Sequence, residues 1–343
     1  MYKVIIKSFD YLKKNLLIPH FSFLVFLSLL ATALELASIG SIPILFTALL
    51  GLDSNSTILS NFEFLKEIDL YKIAIFVLFL FILKNIFLTI IFYLENRFIE
   101  KISVLIKSDI YKKLIFFPYS KLNNFSDSKN TSLVIEAGSN YSSLFGLLIN
   151  IIRESLLLIV IIIFLILTIP IYTIVILFLF GGIIYVFYFF TNKKLKKIGQ
   201  NIQNLFKSSV KNINDNFISL DILKIYKKES FFLNSFNKIN KEKEKNQFFF
   251  NFINKLPKVL IEVISIIFLV TVILIFTKIN FTSTQIIEII SILAVSVIRM
   301  IPLSNSLTTS LIFFKRIEYP SNEVLKILNT NIKLDFESSN NLN

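Results

Sequence analysis

The residues of this chain whose type and place could do chemistry are ionisable side chains inside long apolar runs. Glu35 interrupts the first run, Lys84 the second and Glu262 the fifth. Arg153 and Glu154 stand near the inner end of the third, and Glu288 and Arg299 lie in the sixth. A charge in hydrocarbon costs about 2.5–3.5 kcal/mol or more, so each must face protein or a water-filled cavity. Two readings are open. In one, Lys84 and Arg299 line a polar cavity, with Glu35 and Glu262 beside them, and attract an anionic head group such as a pyrophosphate. In the other, the cations pair with Glu35, Glu154 and Glu262 and hold the bundle together. Arg153 is expected to snorkel to the inner surface, and Glu288 to sit at the outer one.

Other chemistries lack their residues. A phosphate-cradling GxxxxGK[ST] loop is absent, and none of the seven glycines is placed to make one. The chain therefore cannot hydrolyse ATP by that mechanism, and we expect no enzyme activity and no cofactor of its own. No Ser/His/Asp set or dinucleotide fingerprint occurs. Cys is absent, and the single histidine, His20, cannot make a metal cluster.

The elements that must position these charges are helices in a membrane. Hydrophobic residues make up 55% of 343, and the mean hydropathy is +0.72, too apolar for a soluble chain of this size. Six runs are long enough to cross a bilayer core: Leu17–Leu50, Tyr71–Tyr93, Leu147–Leu167, Ile171–Phe190, Leu256–Phe276 and Ile286–Leu307. Gly40 and Pro43 are expected to bend or break the first near the outer surface. Lys and Arg total 36 against 23 acidic residues, a formal charge of +13. Its distribution points to cytoplasmic loops rather than to nucleic acid. Met1–Lys14 holds four lysines, Arg97–Lys129 is basic, and Lys193–Lys258 holds 15 Lys against 5 acidic residues. The remaining loops are poor in cations, so positive-inside logic places both termini and both long loops in the cytoplasm. Lysines 193–197 read as anchors beside anionic lipid, and the KEKEK run at 241–245 as a solvated helix face.

The segment between the fourth and fifth spans organises the rest. Ile202, Leu205, Phe206, Val210, Ile213 and Phe217, then Phe232, Phe236 and Ile239, keep the i, i+3, i+4 spacing of helices with one buried face. A helix from Thr191 to Phe217 would be roughly 40 Å long. Two membrane helices thus continue into water and reverse near Ile218–Glu229. A similar reversal follows Pro118, at SKLNNFSDSKN. Short helices nearly parallel to the membrane are expected at 120–130 and 218–229, with Ile222, Leu223, Ile225 and Tyr226 exposed at the second. After Leu307 a helix is expected to run on to Tyr319 and restart at Pro320–Ser321.

These stretches, with ELASIGSIPILFTAL at 35–49, LKNIFL at 83–88, IYKKLIFFPYSKL at 110–122 and IRMIPLSNSLTTSL at 298–311, resemble the transmembrane domain of ABC exporters. The closest subgroup flips lipid-linked oligosaccharides. The sequence TSLVIEAG departs from the family pattern after the first tip. The resemblance implies an all-α membrane protein of six transmembrane helices with long cytoplasmic extensions and coupling helices. It implies an interfacial elbow helix over 1–15, the six-helix domain over 16–320, and over 321–343 a linker toward an ATPase domain that the sequence does not contain. It implies a second transmembrane chain, in a homodimer or with a similar chain, and an ATPase carrying ATP and Mg²⁺. That ATPase would dock on Ser120, Asn123, Phe125, Ile222, Leu223, Ile225 and Tyr226. The expected function is movement of a lipid-linked saccharide or other amphipathic lipid across the bacterial inner membrane. A peptide or lipid A-like exporter, and a non-transporting scaffold or truncated remnant, remain open.

Overall fold

The computed structural model describes residues 2–49, 70–117, 127–168, 170–278 and 283–330. Those residues are helical, with short turns and no strand among them. In chain order the helices are α1 (Tyr2–Lys14), α2 (Ile18–Leu49), α3 (Leu70–Ile115), α4 (Asp127–Ser132), α5 (Gly138–Thr168), α6 (Pro170–Ile218), α7 (Leu220–Ile225), α8 (Glu229–Lys278) and α9 (Ser283–Leu328). A π-helical turn, Leu133–Ala137, joins α4 to α5. It falls on the TSLVIEAG stretch. Six helices among the described residues are long and apolar enough to cross a membrane. Four of them, α3, α6, α8 and α9, have 46, 49, 50 and 46 residues. They run about 70 Å, more than twice a bilayer core of about 30 Å.

Packing explains why prolines do not end these helices. Pro257 lies inside α8, and Pro302 and Pro320 inside α9. The expected restart at Pro320–Ser321 is absent. Ile312, Phe314, Ile317, Val324 and Leu325 flank Pro320 and are all buried. One continuous apolar face thus outweighs one lost hydrogen bond. Gly40 and Pro43 likewise leave α2 unbroken.

Three apolar clusters divide the length of the bundle. One joins α1 and the start of α2 to the Phe98–Leu114 part of α3, the first half of α5 and the end of α9. The second joins α5, α6, α8 and α9 within the spans. The third binds the Phe187–Ile202 part of α6 to α8 and α9. The face Val4, Ser8, Tyr11 and Leu12 of α1 is buried, while Ile6 and Phe9 point outward. Tyr11 Oη donates to Asp109 Oδ2 at 2.7 Å. Burial, then that bond, holds the Tyr11 phenol above its ordinary range. Lys113 Nζ donates to the carbonyls of Ile327, Leu328 and Thr330, capping the end of α9.

Two reversals use one device. At the end of α1, Leu17 N–H donates to Leu12 O and Leu16 N–H to Lys13 O, with Leu16 at φ 56. At the end of α7, Lys228 N–H donates to Leu223 O and Lys227 N–H to Lys224 O, with Lys227 at φ 51. Both are Schellman turns with a side chain where glycine is usual.

Candidate functional site: two charged layers and an exposed tip

The first layer lies in the spans, where α2, α3 and α9 meet. Lys84 Nζ donates to Glu35 Oε1 at 2.9 Å, and Arg299 Nη1 lies 3.6 Å from the same oxygen. The Phe81 ring stands under both cations, its centre 5.4 Å from Lys84 Nζ and 5.7 Å from Arg299 Cζ. Two cations on one carboxylate leave a formal charge of +1. The two are not equivalent. The Lys84 side chain is 4% exposed and spent on Glu35, whereas Arg299 is 29% exposed and keeps donors free of Glu35.

The second layer lies where α3, α5 and α9 meet. Arg153 Nη1 donates to Glu95 Oε1 at 2.7 Å, and Nη2 donates to Asn150 Oδ1 and lies 3.7 Å from Glu154 Oε1. Asn150 Nδ2 donates to Ser306 Oγ at 3.2 Å and to Ser310 Oγ at 2.8 Å. Ser306 Oγ donates to Glu154 Oε1 at 3.3 Å. Arg153 therefore does not snorkel: it is buried, and two carboxylates and the Phe92 ring at 5.0 Å surround it. One cation with two carboxylates gives this layer a formal charge of −1. Glu95, Asn150, Ser306 and Ser310 were not singled out in the sequence. Their signal was the i, i+3 and i, i+4 recurrence of polar residues on one face, Asn150 with Arg153 and Ser306 with Ser310.

Glu262 does not join either layer. It lies on an exposed face of α8 beside the buried Ile261, without an ion pair among the described residues. The Glu288 side chain lies outside the described residues.

The hairpin of α6 and α8 ends in α7. Ile222, Ile225 and Tyr226 are 59%, 76% and 70% exposed. Leu223 was expected beside them but is 7% exposed. It turns inward to line a cleft of about 300 Å³ with Ile213, Phe217, Leu220, Phe232 and Phe236. On a six-residue helix, one residue per turn must face the hairpin, and Leu223 takes that place. Phe217, placed by its spacing on a buried face, is exposed, as are Ile218 and Phe231. A two-helix hairpin has no third layer to cover them. Ser120, Asn123 and Phe125 lie outside the described residues.

Six apolar helices, charge clusters sequestered between them and helices prolonged far beyond a bilayer define a multi-pass membrane protein with a long helical extension outside the bilayer. The family model for the transmembrane region of ABC transporters matches residues 21–303. The chain belongs to that family, and its fold is that of an ABC exporter transmembrane domain. A comparison with curated protein sequences returned no match.

Proposed function

We propose that this chain is the membrane part of an ATP-driven exporter that moves an amphipathic lipid with an anionic head group across a bacterial inner membrane. A lipid-linked saccharide fits that description. The observation that carries the reading is the residual positive charge at Glu35, Lys84 and Arg299. A satisfied structural pair needs one cation, and Arg299 brings a second with part of its guanidinium exposed. An arginine fork suits a pyrophosphate or phosphate better than an ammonium does. The chain holds no nucleotide-binding loop, so ATP and Mg²⁺ belong on an ATPase that docks on Ile222, Ile225 and Tyr226, which need a cover. Two copies of the six-helix unit form the pathway, with both termini cytoplasmic.

The test is reconstitution with a candidate ATPase in liposomes, following a fluorescent polyprenyl-pyrophosphate saccharide. R299Q is expected to lower transport by an order of magnitude or more, and inorganic pyrophosphate or a short prenyl pyrophosphate to inhibit the unsubstituted chain. Equal transport by R299Q would remove the anion from the reading. A second reading, a non-transporting scaffold, is favoured by the direct Lys84–Glu35 bond. It predicts no stimulation of any ATPase.

A further inference from the structure

Two helices reach the inner boundary of the spans with cations that have no ion pair among the described residues. Lys193, Lys194, Lys196 and Lys197 stand on α6, and Lys255 and Lys258 on α8, all exposed. The helices are packed together at this level. Leu195, Ile198 and Ile202 share a buried cluster with Phe250 and Ile253. Lys194 Nζ lies 5.8 Å from the centre of the Phe249 ring, and Asn201 Nδ2 donates to Asn246 Oδ1 at 3.5 Å. This antiparallel register sets Lys255 and Lys258 level with residues 189–192. The six lysines therefore fall within roughly 12 Å along the helix axes.

No acidic residue occurs between positions 185 and 200 or between 246 and 261. None of the six lysines has an ion pair among the described residues. Arg153 and Arg97, by contrast, do have carboxylate partners, Glu95 and Glu154 for the first and Glu100 for the second. On the membrane side the patch passes directly into exposed apolar residues, among them Phe189, Phe190, Val259 and Leu260. Phe248 and Phe252, also exposed, stack at 6.3 Å beside it.

We propose that α6 and α8 together form a binding surface for anionic phospholipid, the six lysines holding head-group phosphates and Phe189 and Phe190, on the membrane side of the patch, lying along the acyl chains. Continuity between the cations and a lipid-exposed apolar face argues for lipid over nucleic acid. An ATPase at the α7 tip is remote, since 21 residues of helix, about 30 Å, separate Lys197 from Ile218. A second copy meeting this face through the same patch would set like charges against each other. The inference rests on the chain spanning a membrane and not on what it transports.

The test uses the full chain in nanodiscs of phosphatidylcholine with a minority of phosphatidylglycerol, probed with spin-labelled versions of each. The unsubstituted chain is expected to hold phosphatidylglycerol severalfold more strongly at low salt. The preference should fade toward 1 M salt, where screening is nearly complete. K255Q/K258Q keeps the four α6 lysines that orient the hairpin and should lose about a third of the preference on a logarithmic scale. K193Q/K194Q/K196Q/K197Q/K255Q/K258Q should lose nearly all of it, and arginine at the same six positions should restore it. If the six-fold glutamine variant fails to insert, the double variant decides. Equal retention of both lipids by the unsubstituted chain, or full selectivity in K255Q/K258Q, overturns the proposal. So does a photocrosslinker at Phe252 that captures a second copy or another protein in place of lipid.

Discussion

Gly199→Ala tests a close backbone contact between two helices of the bundle. Gly199 lies on α6 where it crosses α9, and a Cβ built there would fall 2.2 Å from the Arg316 carbonyl oxygen and 3.0 Å from its C and Cα. All three are backbone atoms, so no side chain can swing aside. Ordinary contact begins near 3.4 Å, and the helices must separate by about 1 Å. That separation also loosens Arg316, whose guanidinium carbon stands 4.4 Å from the Phe250 ring centre and 5.5 Å from that of Phe313, and which donates to Gln247. Helix propensity pulls the other way, favouring alanine by about 1 kcal/mol. Overpacking that moves backbone costs about 1–3 kcal/mol, occasionally more, and the loosened cation–π stack adds about 0.5–2 kcal/mol. The clash should win, leaving the variant about 0.5–4 kcal/mol less stable.

The assay is thermal melting of detergent-purified chain, with Gly181→Ala and Gly182→Ala as controls. Nothing lies within 4 Å of a Cβ at either control position, so propensity alone predicts unchanged or slightly higher midpoints. Gly199→Ala should melt several degrees lower. A midpoint at or above that of the unsubstituted chain would show that α6 and α9 do not cross this closely and would sink the argument.

Within the first charged layer the partners should respond unequally. Glu35→Gln strands two cations and should cost about 3–5 kcal/mol, whereas Lys84→Met leaves Glu35 to Arg299 and should cost clearly less; melting midpoints of the two variants decide, and equal losses would contradict the shared-oxygen geometry. Lys227→Gly relieves a side chain at positive φ and should stabilise the tip by about 1 kcal/mol, read as slower amide exchange across Leu220–Ile225; faster exchange would argue against the Schellman turn. Ile222→Asp with Tyr226→Asp should abolish stimulation of a partner ATPase while leaving membrane insertion intact, because unpaired charge enters the docking surface; Leu223→Asp should instead loosen the hairpin, so a stable, proteolysis-resistant Leu223→Asp variant would contradict its inward placement.

The sequence made the spans and the hairpin legible because both are written in long-range patterns. Apolar runs of about 20 residues have few alternatives to a membrane helix, and an i, i+3, i+4 beat continuing past the lysines has few alternatives to a helical extension. Local signals misled where burial was decisive. Pro320 looked like a helix break, but the flanking face of α9 is covered on both sides. Phe217 looked buried by its spacing, but periodicity marks a face without saying whether anything lies against it.

The charges show the same limit in three dimensions. Glu35, Lys84 and Arg299 were visible singly, each costly in lipid, yet nothing in their spacing says that two of them share one oxygen of the third. Positions 35, 84 and 299 meet only through the packing of α2, α3 and α9. Arg153 illustrates the converse. Its place near a span end suggested an escape to the interface, which is the cheaper course for a cation on an isolated helix. In the bundle, Glu95 from α3 and Asn150 and Glu154 from its own helix supply partners that the interface would otherwise provide as water. The two layers carry opposite residual charge, +1 and −1, and both include α3 and α9. An anion drawn to the first layer would approach Arg299 beside Glu35, a carboxylate already shared with Lys84, while a cation would be drawn to the second. That asymmetry, and not the number of charges, makes Arg299 the residue to change first.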